Sequence, residues 1–141
     1  MVVDASAIIA VLNRESDAAR IASTIDARRG QLRVSPLTLF EATVSLARAA
    51  SAKAGRKASH AEIELAQATV DAFVRANDIC EIEVTPVMGR IAIEAAARYG
   101  KAVGHPADLN FGDCFAYACA KALGAPLLVK GDDFSKTDVA Y

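Results

Sequence analysis

The chain has 141 residues, of which 53% are hydrophobic and only 6% aromatic, a composition that permits one continuous core and disfavours an aromatic-rich β-sandwich. A formal net charge of −1 excludes a general affinity of the whole surface for nucleic acid, so any such contact must come from local basic clusters. Three cysteines without a C-x-x-C pair exclude a disulfide framework and predict a protein of the reducing cytoplasm.

The amino-terminal segment predicts neither a signal peptide nor a membrane anchor. It has no basic n-region, and Asp4 interrupts its apolar run. Elsewhere, no uninterrupted apolar stretch approaches the ~20 residues that a membrane-spanning helix needs. We therefore expect no membrane partner.

Short apolar segments alternate with segments whose apolar residues recur every three or four positions, which predicts strands alternating with helices. Ser6 and the pair Ser35-Pro36 are typical of helix starts, and Gly100 and Gly124 of helix ends. In chain order, the pattern predicts a strand at 2–3, helices at 6–12 and 17–28, a strand at 32–34, a helix from 36 to about 52, a loop to 59, a helix at 62–77, a strand at 79–84, a helix at 86–99, a loop at 101–111, a helix at 112–123, a strand at 126–129 and a turn at 130–135.

This alternation is typical of a parallel sheet covered on both faces. We therefore predict an α/β fold, a three-layer α/β/α domain with a central parallel sheet flanked by helices. No linker divides the sequence, so residues 1–141 are expected to form this single domain.

Acidic residues stand where the predicted elements end or begin. Asp4 follows the first strand, Asp132 and Asp133 follow the last, and Asp113 lies at a helix start. Because sites in open parallel sheets form outside the carboxyl ends of the strands, these acids are expected to meet at one edge. Glu41 lies between apolar neighbours one turn to either side, and no Lys or Arg within four positions could pair with it.

Each acid also has an ordinary structural explanation. Asp4 and Asp113 could cap helices, Asp132 and Asp133 could be turn residues, and Glu41 could reach solvent. As an explanation of all these acids together, ordinary structural roles are weaker, because they require acids from distant parts of the chain to converge by chance.

Converging carboxylates repel one another, and a divalent cation relieves that repulsion. Ligation by oxygen alone selects a hard ion, Mg²⁺ or Mn²⁺, whereas His60 and His105 lack the spacing of zinc ligands. Such a centre suits phosphodiester hydrolysis by metal-activated water, without a covalent nucleophile. We interpret Ser6 as a helix cap that also orients Asp4 or the scissile phosphate.

Four segments of the sequence resemble the PIN-domain family, and within it the VapC ribonuclease toxins. The resemblance spans essentially the whole chain and is carried by the segments VVDASA, SPLTLFEA, LNFGDCFAYACA and LLVKGDDFSKTD.

The resemblance implies four catalytic acids, matching Asp4, Glu41, Asp113 and one of Asp132 and Asp133, with a slight preference for Asp132. It implies Mg²⁺- or Mn²⁺-dependent cleavage of RNA, homodimerisation, and inhibition by a small VapB-type antitoxin whose tail enters a groove of the toxin. An antitoxin arginine at the acidic pocket would neutralise carboxylates much as a metal does.

Two basic clusters are candidates for contacts with the RNA backbone, although charge runs are usually surface features. Two other functions stay open from the sequence. The first is a catalytically silent PIN-like binding module. The second is a Mg²⁺-dependent phospho-signalling domain, which would carry a paired acid where Ala5 and Ser6 follow Asp4. The basic clusters are Arg28, Arg29 and Arg33, and Lys53, Arg56 and Lys57.

Overall fold

The centre of the protein is a parallel sheet of four short strands, in a computed structural model that describes residues 1–52 and 55–141. The strand order is β3-β2-β1-β4, so the first strand lies between the second and the last. Val2 pairs in register with Arg33 on one side and with Leu127 on the other. The strands are β1 (Val2–Val3), β2 (Arg33–Val34), β3 (Cys80–Glu81) and β4 (Leu127–Leu128).

Six α-helices accompany the sheet in the part of the chain that the structure describes. Short 3₁₀ turns cover Lys101–Val103 and Asp133–Lys136. None of the helices within those described ranges has both the length and the apolar character to cross a membrane. The helices are α1 (Ala5–Leu12), α2 (Ala18–Ala27), α3 (Pro36–Ala52), α4 (His60–Ala76), α5 (Pro86–Tyr99) and α6 (Phe111–Leu123).

The sheet separates two apolar cores, because successive side chains of a strand point to opposite faces. Val2 and Leu127 lie in a core with residues of α5 and α6. Val3 and Leu128 lie in the other core, with residues of α1, α2, α3 and α4. The predicted three-layer α/β/α architecture with a central parallel sheet is therefore confirmed.

Two predicted strands are shorter than the sequence pattern indicated. The segment 79–84 contributes only Cys80–Glu81 to the sheet, although the Ile82 N–H still donates to the Val34 carbonyl at 2.8 Å. The chain then turns, because the Thr85 side chain caps α5 by accepting from the Met88 N–H. The segment 126–129 likewise forms a strand only at Leu127–Leu128.

The starts of α4 and α6 differ from the prediction by one or two residues because of capping side chains. α4 begins at His60 because Ser59 and Glu62 form a capping box. α6 begins at Phe111, which the sequence pattern assigned to a loop, because the Asn110 side chain accepts from two N–H groups of the first turn. Lys53, part of a predicted basic cluster, lies outside the described residues.

The carboxyl-terminal segment returns to the outer side of β4. The Leu127 N–H donates to the carbonyl of Ala140 at 2.8 Å. The buried Tyr117 hydroxyl of α6 donates to Asp138, which also receives Lys121. These contacts fix the tail against the last strand and the last helix.

Candidate active site

The strand order brings the predicted acids to one edge of the sheet. β1 and β4 are neighbours, so Asp4, which follows β1, and Asp132 and Asp133, which follow β4, leave the sheet at the same side. The strand order reverses at this place, since β2 lies on the other side of β1, and ligands of open α/β sheets bind at such positions. α3 starts directly after β2 and carries Glu41 on its second turn, and α6 carries Asp113 on its first.

Asp4 is buried and is the N-cap of α1. Its Oδ2 accepts the Ser6 N–H at 2.8 Å and the Ser6 hydroxyl at 2.6 Å. The sequence-based assignment of Ser6 as the cap is therefore wrong. Asp4 stands directly before the first helical residue with an extended backbone, which is the N-cap geometry, whereas Ser6 already lies inside the helix.

Asp113 belongs to a capping box at the start of α6. Its Oδ2 accepts the Asn110 N–H at 2.8 Å, while the Asn110 side chain accepts the Gly112 and Asp113 N–H groups. The ordinary capping explanation is thus correct for Asp4 and Asp113 as local structure. The N-x-x-D pattern at residues 110–113 could have identified this box from the sequence.

Capping alone does not explain the ionisation of these acids. Hydrogen bonds from N–H groups lower the pKa of a carboxyl group, yet the pKa of Asp4 and that of Asp113 are both raised. Burial is the largest cause in each case, and for Asp113 it brings the pKa to about 6. The negative charge of Asp133 raises both pKa values further. Neighbouring carboxyl groups with raised pKa values are typical of functional sites.

Glu41 completes the group of interacting carboxylates. It is half-buried, and burial, the charge of Asp4 and the charge of Asp113 raise its pKa, in that order. The charges of Asp4 and Asp113 thus reach Glu41, and the charge of Asp133 reaches Asp4 and Asp113. Asp132 is exposed, its backbone carbonyl accepts the Ser135 N–H, and its charge is not among the causes of these three shifts.

Gly112 is a residue of the site that sequence reasoning missed. A Cβ atom at this position would lie 2.1 Å from Oε2 of Glu41, so the glycine allows the Glu41 carboxylate to approach the first turn of α6. Its backbone φ is not positive, and the close approach alone accounts for the glycine. A glycine directly before a candidate acid is the sequence signal that could have indicated it.

The donor set fits a hard divalent cation. None of the ion pairs formed by residues 1–52 and 55–141 involves Asp4, Glu41, Asp113, Asp132 or Asp133. Within the same ranges, no three His, Cys, Asp or Glu side chains are close enough to enclose a metal ion. The carboxylates are therefore close enough to affect one another's ionisation but do not form a closed set of ligands. All of their donors are oxygen, as Mg²⁺ and Mn²⁺ prefer.

A groove leads away from Glu41 along α3. Its volume is about 380 Å³, and Phe40 and Phe111 stand at its sides, each with 70% of its surface exposed. Arg48, two turns after Glu41, lines the same groove. Sequence reasoning did not identify Phe40, Arg48 and Phe111 as residues of a groove. The spacing along α3 nevertheless places Val44 and Arg48 on the same face of the helix as Glu41.

The first predicted basic cluster does not lie with the acids, whereas Arg56 and Lys57 of the second line a pocket that adjoins the groove at Arg48. Burial is the largest cause that lowers the pKa of the amino-terminal ammonium group, and the charges of Arg33 and Arg28 lower it further. These two arginines therefore lie at the edge of the sheet opposite the acids. Arg33 donates to the carbonyls of Gly30 and Leu32. Arg56 pairs with Glu62 beside the start of α4. These arginines are therefore engaged in local structure.

The fold and the edge of carboxylates define a class of nuclease domain, and comparison with known proteins agrees with it. The PIN domain family model matches residues 1–140, and the chain belongs to the PIN-domain family.

Its relatives in sequence are VapC ribonucleases, as the four segments predicted. The chain is 44% identical over 138 residues to a VapC ribonuclease of Rhizobium meliloti, covering 97% of each protein. It is 38% identical over 139 residues to ribonuclease VapC28 of Mycobacterium tuberculosis, covering 99% of this chain and 95% of the other.

Solved structures confirm the fold. The protein superposes with a TM-score of 0.71 and 17% identity on Mycobacterium tuberculosis VapC20, described as a sarcin-ricin loop cleaving toxin, covering 99% of this chain and 95% of that one. A chain of a toxin–antitoxin complex from Klebsiella pneumoniae gives a TM-score of 0.64 at 13% identity, covering 99% and 94%.

Gly112→Ala tests the close approach of Glu41 to α6. The new methyl group meets the far end of a flexible side chain, so we expect the Glu41 carboxylate to move while the fold survives. RNA cleavage should become slower, and the thermal midpoint of unfolding should change little. Gly89→Ala, within α5 and with nothing within 4 Å of the new atom, is the control, because it makes the same change without displacing a carboxylate. Equal activity of the two variants would contradict this role of Gly112.

The raised pKa of Asp113 predicts how pH affects the metal-free protein. Between its ordinary value of 3.8 and about 6, the folded chain binds more protons at Asp113 than the unfolded chain does. The contribution of Asp113 to the free energy of unfolding is therefore present below this range and is lost as pH rises through it. Thermal midpoints measured from pH 4 to 7 should show a fall that is smaller in Asp113→Asn. NMR titration of the Asp113 carboxyl should give a midpoint near 6, and a midpoint near 4 would contradict the prediction.

Proposed function

We propose that this protein is a metal-dependent endoribonuclease that acts as the toxin of a toxin–antitoxin pair. The observation that carries the proposal is the group of carboxylates at the carboxyl edge of the sheet, where burial and neighbouring acids raise the pKa of Asp4, Glu41 and Asp113. Its support from relatives is the 44% identity to a VapC ribonuclease over nearly the whole chain. Buried acids without a basic partner are costly, and they are maintained where a cation or a reaction uses them.

In this proposal, Asp4, Glu41, Asp113 and Asp133 hold Mg²⁺ or Mn²⁺. We prefer Asp133 to Asp132 because the charge of Asp133 raises the pKa of both Asp4 and Asp113, whereas the charge of Asp132 is a cause of neither shift. When bound, the cation supplies an activated water and stabilises the charge that develops on the phosphate.

The side chains around the cation have separate roles. Asp4 is held in one orientation by its two hydrogen bonds from Ser6, which makes it the most rigid donor of the group. Ser6 is therefore a positioning residue. Glu41 is half-buried at the inner end of the groove, where its carboxylate can accept a hydrogen bond from the attacking water.

The groove along α3 supports RNA as the substrate. Exposed aromatic rings stack on unpaired bases, and Phe40 and Phe111 stand beside Glu41 in such a position. Arg48 adds a positive charge for a phosphate farther along the strand. Arg56 and Lys57 of the second predicted basic cluster line the adjoining pocket together with Arg48, so the groove and this pocket form the proposed path of the RNA backbone.

We further propose a VapB-type antitoxin and a second copy of the chain as partners. A toxin–antitoxin complex is the source of one structure that shares the fold. An antitoxin segment in the groove, with an arginine at the carboxylates, would exclude RNA and neutralise the site. The exposed Ile93 of α5, which lines an apolar groove between α5 and α6, supports homodimerisation through this face. All three cysteines are free thiols, in agreement with a cytoplasmic location.

Loss of either central acid should abolish RNA cleavage. We expect Asp4→Asn and Asp113→Asn to reduce kcat with Mn²⁺ by roughly a hundredfold or more, since losing even an outer partner of a metal ligand costs about 10–100-fold. Asp26→Asn, at an exposed carboxylate that pairs with Arg29, is the control and should cleave as the wild type does. Undiminished cleavage by the two site variants would refute their roles. A wild type that binds Mn²⁺ but cleaves no RNA would be the catalytically silent module.

The two acids after β4 can be separated by the same assay. Asp133→Asn should weaken both Mn²⁺ binding and cleavage, because Asp133 is the acid whose charge reaches Asp4 and Asp113. Asp132→Asn should retain both, since its carboxylate is exposed and its role in the turn is carried by its backbone carbonyl. The opposite ranking would assign the fourth position to Asp132.

A further inference from the structure

The loop after β4, residues 130–133, leads into the 3₁₀ turn that begins at Asp133 and carries the buried Phe134. Asp132 and Asp133 are exposed, and Gly131 has a φ of +85°, so the chain changes direction immediately after the strand. The connection between this loop and the buried Asp4 is made by its first residue, Lys130, through both its backbone and its side chain.

The backbone of Lys130 fixes the direction of the Ser6 hydroxyl. The Lys130 N–H donates to Ser6 Oγ at 3.0 Å, across 124 residues of sequence. A serine hydroxyl has one proton to donate. Because Oγ accepts from Lys130, that proton is directed to Asp4 Oδ2, 2.6 Å away. A displacement of the loop would thus be transmitted through Ser6 to Asp4.

The side chain of Lys130 fastens the loop to the far end of α1. Its ammonium group pairs with the Glu15 carboxylate, and the two side chains are 40% and 28% exposed. The Glu15 N–H in turn donates to the Ala10 carbonyl at 2.9 Å, which connects Glu15 to the last turn of α1. The helix that starts at Asp4 is therefore attached to the same loop at both of its ends.

We infer that Glu15 and Lys130 are positioning residues for the cation site. Their ion pair holds the loop after β4 so that the Lys130 N–H orients Ser6 toward Asp4 while Asp133 stays at the same edge. The inference rests on the proposed function, in which Asp4 and Asp133 hold the cation. Neither Glu15 nor Lys130 contacts the cation or the RNA in this account.

The test compares Mn²⁺ binding by calorimetry among full-length variants. Lys130→Met keeps the backbone N–H and the aliphatic stem, and Glu15→Gln keeps the size of the side chain, but each removes the ion pair. Both should bind Mn²⁺ about tenfold more weakly, as is typical when the partner of a ligand is lost. Lys130→Arg, which preserves the charge, should bind as the wild type does. Glu64→Gln, which breaks the exposed pair with His60, is the matched control for Glu15→Gln.

Two further measurements distinguish positioning from general stabilisation. Hydrogen exchange of the residue-130 amide in the metal-free protein should be faster in both pair-breaking variants. In RNA cleavage, kcat should fall while KM stays unchanged. If the pair only stabilises the fold, the variants that lack it would have a lower thermal midpoint, but their Mn²⁺ affinity at temperatures well below that midpoint would equal that of the wild type. This result would overturn the inference. If Lys130→Met does not fold, Glu15→Gln provides the same test.

The outcomes separate this inference from the proposed function. A wild type that neither binds Mn²⁺ nor cleaves RNA would overturn the proposed function, and the positioning role with it. A wild type that does both, with pair-breaking variants of equal Mn²⁺ affinity, would overturn the positioning role alone. Equal losses in Lys130→Arg and Lys130→Met would also overturn it, because the charge would then be irrelevant.

Discussion

Repulsion among carboxylates at the carboxyl edge of the sheet is the constraint to which the rest of this structure responds. Burial and neighbouring charges raise the pKa of Asp4, Glu41 and Asp113 even though N–H groups bind two of them. An arrangement that resists ionisation when empty is well suited to a cation, because the free energy that the repulsion costs is recovered on binding.

Much of the fold was predictable because the apolar pattern is local. Val2-Val3 and Leu127-Leu128 identify buried strands, and the helical periods between them require crossovers, so the parallel three-layer architecture follows from chain order. Element ends were less predictable, since they depend on single capping side chains. Asn110 extended α6 backwards into a predicted loop, and Asp4 took the capping role assigned to Ser6.

The residues of the candidate site also fall into those that local sequence identifies and those that depend on contacts distant in sequence. Asp4, Glu41 and Asp113 could be identified because an acid beside an apolar element is unusual on its own. The choice between Asp132 and Asp133 could not be made, since it depends on how the loop leaves β4 after Gly131. Gly112, Lys130 and the groove residues escaped notice because each acts through a contact far away in sequence, with Glu41, Ser6 or the opposite wall of the groove. The first arginine cluster misled for a related reason, because the sequence shows charge but not the edge of the sheet to which it belongs.

The return of the carboxyl-terminal segment to β4 has a consequence for how the protein behaves at high concentration. Open sheet edges recruit strands from other molecules, and natural proteins shield them with charge or with their own chain. Here the bond from the Leu127 N–H to Ala140 occupies one border of the sheet, and the exposed Glu81 places a charge on the other. The hydrogen bond from the Tyr117 hydroxyl to Asp138 holds this segment against the protein. Residues 138–140 thereby guard this edge of the sheet against β-pairing with other molecules.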